Sequence, residues 1–454
     1  MSFQQNIKSL QKLYSQSYCD SQEFDVFEQD VEKNHQIKED VRVLEKFCLN
    51  NSKHVKVHET EIPPGILPDN VLGFLFDANV YVSNEYKQEK GIKKKMSLSD
   101  DIVYKNFPEI QQNIPRGLTT CKIIEKKSGN ELFHDTCIYA NKKFSGDEDD
   151  DEESNNAKLY FIASPINVRN KRMISTEKMN GDALHFSVRY IFDKYFLFVG
   201  SKGCHMMINN ENDIDKYTDQ RFNVCKSFAR GTWKMLEKIS QKERDLLFQL
   251  LDYTKVTAVC EFLQPSYQHV VDISNDESTV VFLTFTPTYT NSTSLTAFSP
   301  AISLEIMNIL NVPCTPHKII NLDDKGERYK QEVQNVRSNT NSEGCVFYII
   351  NDRDETIGLI KVKSVWYICL RALREKCKSL AGKKVKASPH LIYAEINKRY
   401  DDIQQWLELS DDDIAEWKNN GKNFVNWLKS TVNVNTVKSS FPILWKQYCD
   451  EKGS

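Results

Sequence analysis

Five short motifs carry residue types that could form a nucleophilic site. In chain order they are Lys178-Met179-Asn180-Gly181, Ser201-Lys202-Gly203, Glu261-Phe262, Glu343-Gly344 and Lys361-Val362-Lys363. A lysine amine attacks only when neutral, yet a free lysine with a pKa of about 10.4 is deprotonated in roughly one molecule in 2,500 at pH 7. Nearby cations lower a lysine pKa by disfavouring its ammonium form, and Lys361 and Lys363 would share one strand face. The sequence therefore predicts an amine nucleophile at Lys178, activated by these two lysines.

The two glutamates of these motifs suggest a cation site. Mg²⁺ keeps several of its waters and needs only one or two protein carboxylates. We therefore expect Glu343, together with Glu261, to hold Mg²⁺, with Mn²⁺ as the alternative cation. Three of the motifs also have a purely structural interpretation. Lys361 and Lys363 could lie on a solvated edge strand, Glu343-Gly344 could form a turn, and Glu261 could be a paired structural carboxylate.

The elements around the motifs indicate an α+β protein. Short β-branched and aromatic segments predict strands at 159–164, 183–188, 195–199, 256–263 and 280–285, and a hairpin at 345–350 and 356–362. Helical spacing of apolar residues predicts helices over 11–27 and 31–50, and again over 366–380, 393–409, 411–419 and 423–431, with Ser410 as an N-cap. We predict antiparallel sheets with flanking helices, followed by an all-helical C-terminal domain.

The same patterns predict three regions. A polar helical N-terminal extension covers residues 1–105, the domain carrying the motifs covers 106–380, and the helical C-terminal domain covers 387–454. Within the central domain, residues 145–156 are expected to form an acidic loop, because seven consecutive acids at 147–153 repel one another in any compact structure.

Composition narrows the function classes. The 454 residues include 60 Lys and Arg against 63 Asp and Glu, a formal charge of −3, so no field of the whole chain attracts nucleic acid or anionic membrane. Apolar stretches are too short to span a membrane and the first residues lack the apolar core of a signal peptide, so we expect a cytoplasmic or nuclear protein. Twelve cysteines without a C-x-x-C pair indicate reduced thiols.

The order of the motifs resembles that of the covalent nucleotidyltransferases. It is most similar to the ATP-dependent RNA ligases of the phage RNA ligase 1 type, to which fungal tRNA ligases are related. The resemblance covers residues 113–376, and its most specific part is Lys361-Val-Lys-Ser-Val-Trp-Tyr367, which resembles motif V. Pro115-Arg116-Gly117 resembles the element whose arginine contacts the nucleotide phosphates in that family. Gln268-His269 departs from the family's Asn-Arg pair, and Asn180 stands where many members have Asp.

This resemblance implies a nucleotidyltransferase fold with ATP-grasp-like antiparallel sheets, and ATP and Mg²⁺ as cofactors. Lys178 would carry AMP, and Lys361 and Lys363 would act with it in catalysis. The residues implied in nucleotide binding are Arg116, Glu177, Asn180, Gly181, Lys202, Glu261, Phe262, Glu343, Lys361 and Lys363. Phe262 has core packing as an equal alternative, and His185 and His205, which flank the site, are interpreted as structural.

The implied substrate is RNA with 5′-phosphate and 3′-OH ends. The sequence has no P-loop, so a separate end-healing kinase or phosphatase is an expected partner. Residues 361–386 contain nine basic residues and one acid, interleaved with Trp366 and Tyr367, which predicts a surface that follows an RNA backbone. Two alternatives stay open: a capping-type nucleotidyltransferase, which the helical C-terminal region disfavours, and a non-catalytic RNA-binding protein on a ligase fold.

Overall fold

Three sheets, antiparallel except for one short parallel pair in the third, and a helical module make up the computed structural model. It describes residues 3–18, 21–89, 91, 100–146, 172–273, 277–323, 325–380, 389–431 and 437–452. The acidic residues 147–153 and the strand predicted at 159–164 lie outside the described residues. The observed class agrees with the prediction: mixed α and β structure with antiparallel sheets and a helical C-terminal region.

The first sheet has four strands in chain order and the other two have five each. The first consists of β1 (Val55–Glu61), β2 (Val71–Val80), β3 (Leu118–Glu125) and β4 (Glu131–Tyr139). The second has the order β11-β10-β7-β8-β9, with β7 (Asp182–Ile191), β8 (Lys194–Ser201), β9 (Cys204–Ile208), β10 (Thr257–Leu263) and β11 (Thr279–Thr286). The third has the order β12-β6-β13-β14-β5, with β5 (Ser145–Gly146), β6 (Arg172–Glu177), β12 (His317–Asn321), β13 (Gly344–Ile350) and β14 (Thr356–Lys363).

The N-terminal region differs from the predicted helical extension. Helices α1 (Phe3–Tyr18), α2 (Ser21–Gln36) and α3 (Val41–Asn50) are present, but residues 55–80 contribute two strands to the first sheet. Tyr14 and Phe24 are fully buried in the same core as the second sheet. The prediction of an extension ending at residue 105 is therefore wrong: this region supplies a sheet and part of the main core.

Shorter helices connect the sheets and cover their faces. They are α4 (Asn84–Glu89), α5 (Asp101–Asn106), α6 (Pro108–Asn113), α7 (Asp213–Lys216), α8 (Asn223–Lys238), α9 (Gln241–Thr254), α10 (Pro300–Ile309) and α11 (Glu327–Ser338). Helix α8 packs on β8, and α9 packs on β7. Their apolar sides bury most of one face of the second sheet, which leaves the other parts of that sheet to line a cavity.

Four helices form the C-terminal module around a core of its own. They are α12 (Val365–Leu380), α13 (Pro389–Leu407), α14 (Asp411–Thr431) and α15 (Val437–Lys452). The Ser410 hydroxyl accepts the Asp413 amide at 3.1 Å, which confirms the predicted N-cap. The two helices predicted at 411–419 and 423–431 are one continuous helix. Gly421 lies inside it because an added Cβ would come within 3.3 Å of Ile396 on α13, so the glycine allows the helices to pack closely.

Candidate active site

The segment that carries Lys178 crosses from one sheet to another. Strand β6 of the third sheet ends at Glu177, and β7 of the second sheet begins at Asp182. Gly181 permits this crossing, because an added Cβ would lie 2.3 Å from the carbonyl oxygen of Phe262. The Lys178 amide donates to the carbonyl of Gly344 at 2.8 Å, and Gly344 has a φ of +133° that disfavours any side chain. The two motif glycines thus bring the nucleophile candidate between the two sheets.

Lys178 lies against the two glutamates predicted from the sequence. Its Nζ is 2.8 Å from Glu343 Oε1. Burial alone would lower the pKa of Lys178, but the charges of Glu343 and Glu261 outweigh it and hold that pKa above its ordinary value. The expectation that Lys361 and Lys363 lower this pKa is therefore wrong for the protein without ligands. The reason is that Glu343 contacts the amine directly and favours its protonated form.

Glu261 and Glu343 are both held in place by donors from the turn after Lys178. Glu261 Oε1 accepts the Gly181 amide at 3.0 Å, and Glu343 Oε2 accepts Asn180 Nδ2 at 2.6 Å. Burial raises the pKa of Glu261 to about 7, with Glu343 adding to the rise and Lys178 opposing it. The part of the chain that the structure describes contains no group of three or more His, Cys, Asp or Glu side chains that could hold a metal ion. Two carboxylates are nevertheless enough for Mg²⁺ that also binds substrate phosphates.

A cavity of about 350 Å³ opens beside Lys178 and is lined by basic side chains. Those predicted from the sequence are Arg116, Lys202 and Lys361, and the structure adds Lys142 and Lys143, which sequence reasoning missed. Burial lowers the pKa of Lys142 to about 8, although Glu39 opposes the shift. Burial and the neighbouring Arg116 charge also lower the pKa of Lys202. The same wall includes Glu177, Asp182 and Glu261, so with Lys178 counted the cations outnumber the acids by six to three, an excess that favours an anionic ligand.

Arg116 occupies the wall of this cavity, but its guanidinium is engaged. Its Nη2 donates to Asp100 at 2.6 Å and to Asp101 at 3.1 Å. Lys143 also pairs with Asp101. Gly117 turns the chain with a φ of +125° directly over His185, where an added Cβ would lie 2.5 Å from the imidazole. Asp100 and Asp101 therefore occupy hydrogen-bond donors of Arg116 and Lys143 that a phosphate group would otherwise use.

The remaining predicted residues divide between the cavity and the core. Glu177 lines the cavity. Lys363 lies opposite Gly344 and is 5% exposed, so it is more deeply placed than Lys361. Phe262 is 3% exposed and packs against Phe228, with ring centroids 5.0 Å apart. Phe262 therefore packs in the core, which was the alternative to the predicted nucleotide contact. The reason is that Glu261 and Phe262, as neighbours in a strand, face opposite sides of β10.

The two histidines beside the site belong to a buried polar network. His185 Nδ1 is 3.3 Å from His205 Nε2, and His205 Nδ1 is 2.7 Å from the hydroxyl of Thr119. Thr119 in turn donates to Asp77 at 2.7 Å. Burial, with the neighbouring His205 and Lys202, holds the pKa of His185 well below its ordinary value. Their partners satisfy both imidazoles, as the structural interpretation expects.

Asn180 connects the site to the C-terminal module, which sequence reasoning did not anticipate. Its Nδ2 lies 3.3 Å from the hydroxyl of Tyr367, and its Oδ1 accepts the amides of Val270 and Val271 at 2.9 and 3.0 Å. Val270 and Tyr367 are both buried in the core of the helical module. Asn180 is therefore a positioning residue whose polar atoms bond to protein groups, and the prediction that it binds the nucleotide has no support from these contacts.

The basic segment predicted to follow RNA is partly internal. Arg374 is 4% exposed and donates to the Lys438 carbonyl at 3.0 Å, and Tyr367 is 6% exposed. Lys376 and Lys378 form ion pairs with Glu395 and Glu375. Helix α12 is therefore mainly a packing element of the module in its described part, and Tyr367 is too buried to belong to the predicted RNA surface.

Replacing Asn180 by alanine is expected to lower the free energy of unfolding by about 2 to 4 kcal/mol, because two buried amides lose their acceptor. Urea denaturation followed by circular dichroism measures this. Asn212→Ala, at an exposed asparagine whose side chain makes no capping bond, is the matched control and should keep the wild-type stability. An Asn180→Ala midpoint equal to that of the wild type would show that the Val270 and Val271 amides find other partners.

Comparison with known families places the chain in one of them. A family model described as a domain of unknown function, DUF7920, matches residues 92–374, which is more than half of the chain. The chain belongs to this family. The DUF7920 region includes every candidate site residue from Arg116 to Lys363. A search of curated proteins gives no match. A solved structure of an archaeal ATP-dependent RNA ligase, form 1, is similar with a TM-score of 0.42 and 10% identity, covering 90% of this chain and 80% of that chain.

Proposed function

We propose that this protein is an ATP-dependent RNA ligase that forms a lysyl-AMP intermediate on Lys178 and joins 5′-phosphate and 3′-OH ends. The observation that carries the proposal is the contact of the Lys178 amine with Glu343 at 2.8 Å, beside Glu261, at a cavity lined by five further cations. A partly buried amine paired with one carboxylate, near a second and beside a cation-lined cavity, suits attack on a nucleotide phosphate once the amine is neutral. The five motifs that resemble the phage RNA ligase 1 type point to the same chemistry.

In the first step, the neutral Lys178 amine attacks the α-phosphorus of ATP. A nitrogen–phosphorus bond forms, the bond to the pyrophosphate oxygen breaks, and the amine proton passes to water. Lys361 and Lys202 are placed to stabilise the charge of the departing pyrophosphate. Mg²⁺ would be held by Glu343 and Glu261 and would neutralise charge on the phosphate oxygens. Lys178 must leave Glu343 before it reacts, because their ion pair keeps the amine protonated.

The second and third steps use RNA. An oxygen of the RNA 5′-phosphate attacks the phosphorus of the lysyl-bound AMP, and the nitrogen–phosphorus bond breaks to release the Lys178 amine. The 3′-OH of the other strand then attacks the activated RNA phosphate, so that a phosphodiester forms and AMP leaves. In this scheme the protein carries out only the joining, and a separate kinase or phosphatase prepares ends that lack these groups.

Labelled nucleotide tests the proposed function. The protein should acquire label from α-labelled ATP with Mg²⁺ and retain it after denaturation, whereas γ-labelled ATP should give none, because pyrophosphate departs. Adding 5′-phosphorylated RNA should move the label from protein to RNA. Label gained from GTP rather than ATP would favour a capping-type enzyme, and no retained label would favour an RNA-binding protein without catalysis.

Lys361→Ala is expected to slow formation of the protein–AMP adduct by about a hundredfold, as for loss of one electrostatic contact to a developing charge. Lys194→Ala, at the exposed start of β8, is the matched control and should keep the wild-type rate. Single-turnover kinetics with labelled ATP measures both rates. A wild-type rate in Lys361→Ala would leave this lysine a purely structural residue of β14, which lies between β13 and β5 and is not the edge strand expected from the sequence.

A further inference from the structure

The segment that follows β10 presents an aromatic ring and an imidazole next to the candidate active site. Along residues 267–270 burial alternates: Gln268 and Val270 are each 2% exposed, whereas Tyr267 is 47% exposed and His269 is partly exposed. Tyr267 is therefore one of the few large aromatic side chains that the described residues leave open to solvent. An exposed ring of this kind has a flat apolar face available for a planar ligand.

This segment is fixed in place by hydrogen bonds to its buried residues. The Gln268 amide donates to the Ser439 carbonyl of the helical module at 2.9 Å, and the Gln268 side chain bonds Pro265 and Ile273 at 3.1 and 3.0 Å. The amides of Val270 and Val271 donate to Asn180, as described above. The outward positions of Tyr267 and His269 are thus set by the protein itself, which lowers the entropic cost of binding a ligand there.

The two side chains lie outside the cavity and next to Asp182 at its rim. His269 Nε2 lies 3.8 Å from the carboxylate of Asp182, and Asp182 lines the cavity together with Lys178. The rings of Tyr267 and His269 meet edge to face, with centroids 5.5 Å apart and planes at 88°. From the cavity outward, Asp182 is followed by the His269 imidazole and then by the Tyr267 ring, so a strand that enters from this side passes the tyrosine first.

We propose that Tyr267 and His269 bind the end of the RNA strand whose 5′-phosphate receives AMP. This inference rests on the proposed function and names where its polynucleotide substrate is held. A base of a single strand stacks on the Tyr267 ring, since every base has a flat π face. With His269 Nε2 turned to Asp182, the second ring nitrogen can bond a ribose 2′-hydroxyl, a group that RNA has and DNA lacks. The site therefore takes a single-stranded ribonucleotide end.

The experiment compares Tyr267→Ala, Tyr267→Phe and His269→Ala with the wild type. Tyr190→Ala is the matched control, because Tyr190 is a similarly exposed tyrosine (48%) near the other end of β7. Enzyme carrying labelled AMP is mixed with limiting 5′-phosphorylated single-stranded RNA, and the rate of label transfer is measured. In parallel, fluorescence anisotropy gives the affinity of each protein for the same RNA and for DNA of the same sequence.

We expect Tyr267→Ala to weaken RNA binding and transfer about tenfold or more, as for loss of one stacked base, with both recovering at high RNA concentration. Tyr267→Phe and Tyr190→Ala should resemble the wild type, and His269→Ala should reduce the preference for RNA over DNA. Wild-type affinity and transfer in Tyr267→Ala would overturn the proposal. The proposal would also be overturned if Tyr267→Ala transferred AMP normally but joined pre-adenylated RNA slowly, because that result would assign the site to the 3′-OH strand.

The adduct and binding measurements separate this inference from the proposed function. If the wild type forms no protein–AMP adduct, the ligase function fails, yet RNA affinities of the wild type and Tyr267→Ala still decide the binding site. If the adduct forms normally in every variant and the RNA measurements do not change, the ligase function stands and this binding site fails.

Discussion

Arginine in place of Lys178 is expected to abolish both the protein–AMP adduct and RNA joining. Arginine can keep the ion pair with Glu343, but its guanidinium stays protonated at any working pH and is no nucleophile. The variant should therefore fold normally and lose at least a thousandfold in adduct formation, since it removes the bond-forming atom. Denaturing gels after incubation with α-labelled ATP measure the adduct, and circular dichroism checks the fold.

Joining of pre-adenylated RNA is the internal control for the Lys178→Arg variant. The last step breaks the bond between the RNA phosphate and AMP and needs no lysyl nucleophile. The variant should therefore still seal pre-adenylated RNA to a 3′-OH strand when ATP is absent. An adduct that persists in Lys178→Arg at the wild-type level would place the nucleophile elsewhere in the chain.

Glu343→Gln is expected to slow adduct formation by about a hundredfold or more and to raise the Mg²⁺ concentration that the reaction needs. The substitution has two opposing consequences. Removing the carboxylate lowers the pKa of Lys178, because Glu343 contributes to holding that pKa above its ordinary value, and this alone would speed attack at neutral pH. Loss of a metal ligand would slow it. The direction of the change therefore separates a cation-binding role from a simple ion-pair role.

Rates measured across a Mg²⁺ titration decide between these roles of Glu343. Glu332→Gln is a suitable control, because Glu332 is a buried glutamate paired with a lysine, Lys318, on the edge strand of the same sheet. It should leave the rate and the Mg²⁺ requirement unchanged. A faster reaction in Glu343→Gln, with the Mg²⁺ requirement of the wild type, would exclude the proposed metal-binding role.

Local patterns were enough to predict the parts of the fold that depend on neighbours in sequence. The hairpin of β13 and β14 pairs antiparallel, as its two closely spaced β-branched and aromatic segments predict. The Ser410 cap is another case, since donor and acceptor are three residues apart. Strands β7, β8, β10 and β11 likewise occur where β-branched and aromatic residues are concentrated.

Features that depend on distant parts of the chain could not be predicted in this way. Strand β1 is rich in charged residues, and β1 and β2 are stabilised by pairing with one another and by the pairing of β2 with β3, about 45 residues away. The pKa of Lys178 depends on which charges the folded chain places next to its amine. The spacing of Lys361 and Lys363 in the sequence did not reveal that Glu343 would contact that amine. Lys142 and Lys143 belong to no motif and reach the cavity only through the fold.

The contacts of Asn180 are a further feature that local sequence patterns could not predict. Its position three residues before a strand identifies it as part of a turn, and the family resemblance assigns that turn to nucleotide binding. Only the folded chain brings Val270 and Tyr367 to its side chain. The sequence locates the candidate site, and the tertiary contacts determine which of its residues face the cavity.

Mass spectrometry of the protein after incubation with ATP and Mg²⁺ tests the central claim most directly. The proposed function predicts that the intact protein gains the mass of one AMP and that peptide mapping places it on Lys178. Treatment with pyrophosphate should remove this mass, because the first step is reversible. An unmodified Lys178 under conditions where RNA is joined, or AMP found on another residue, would contradict the account.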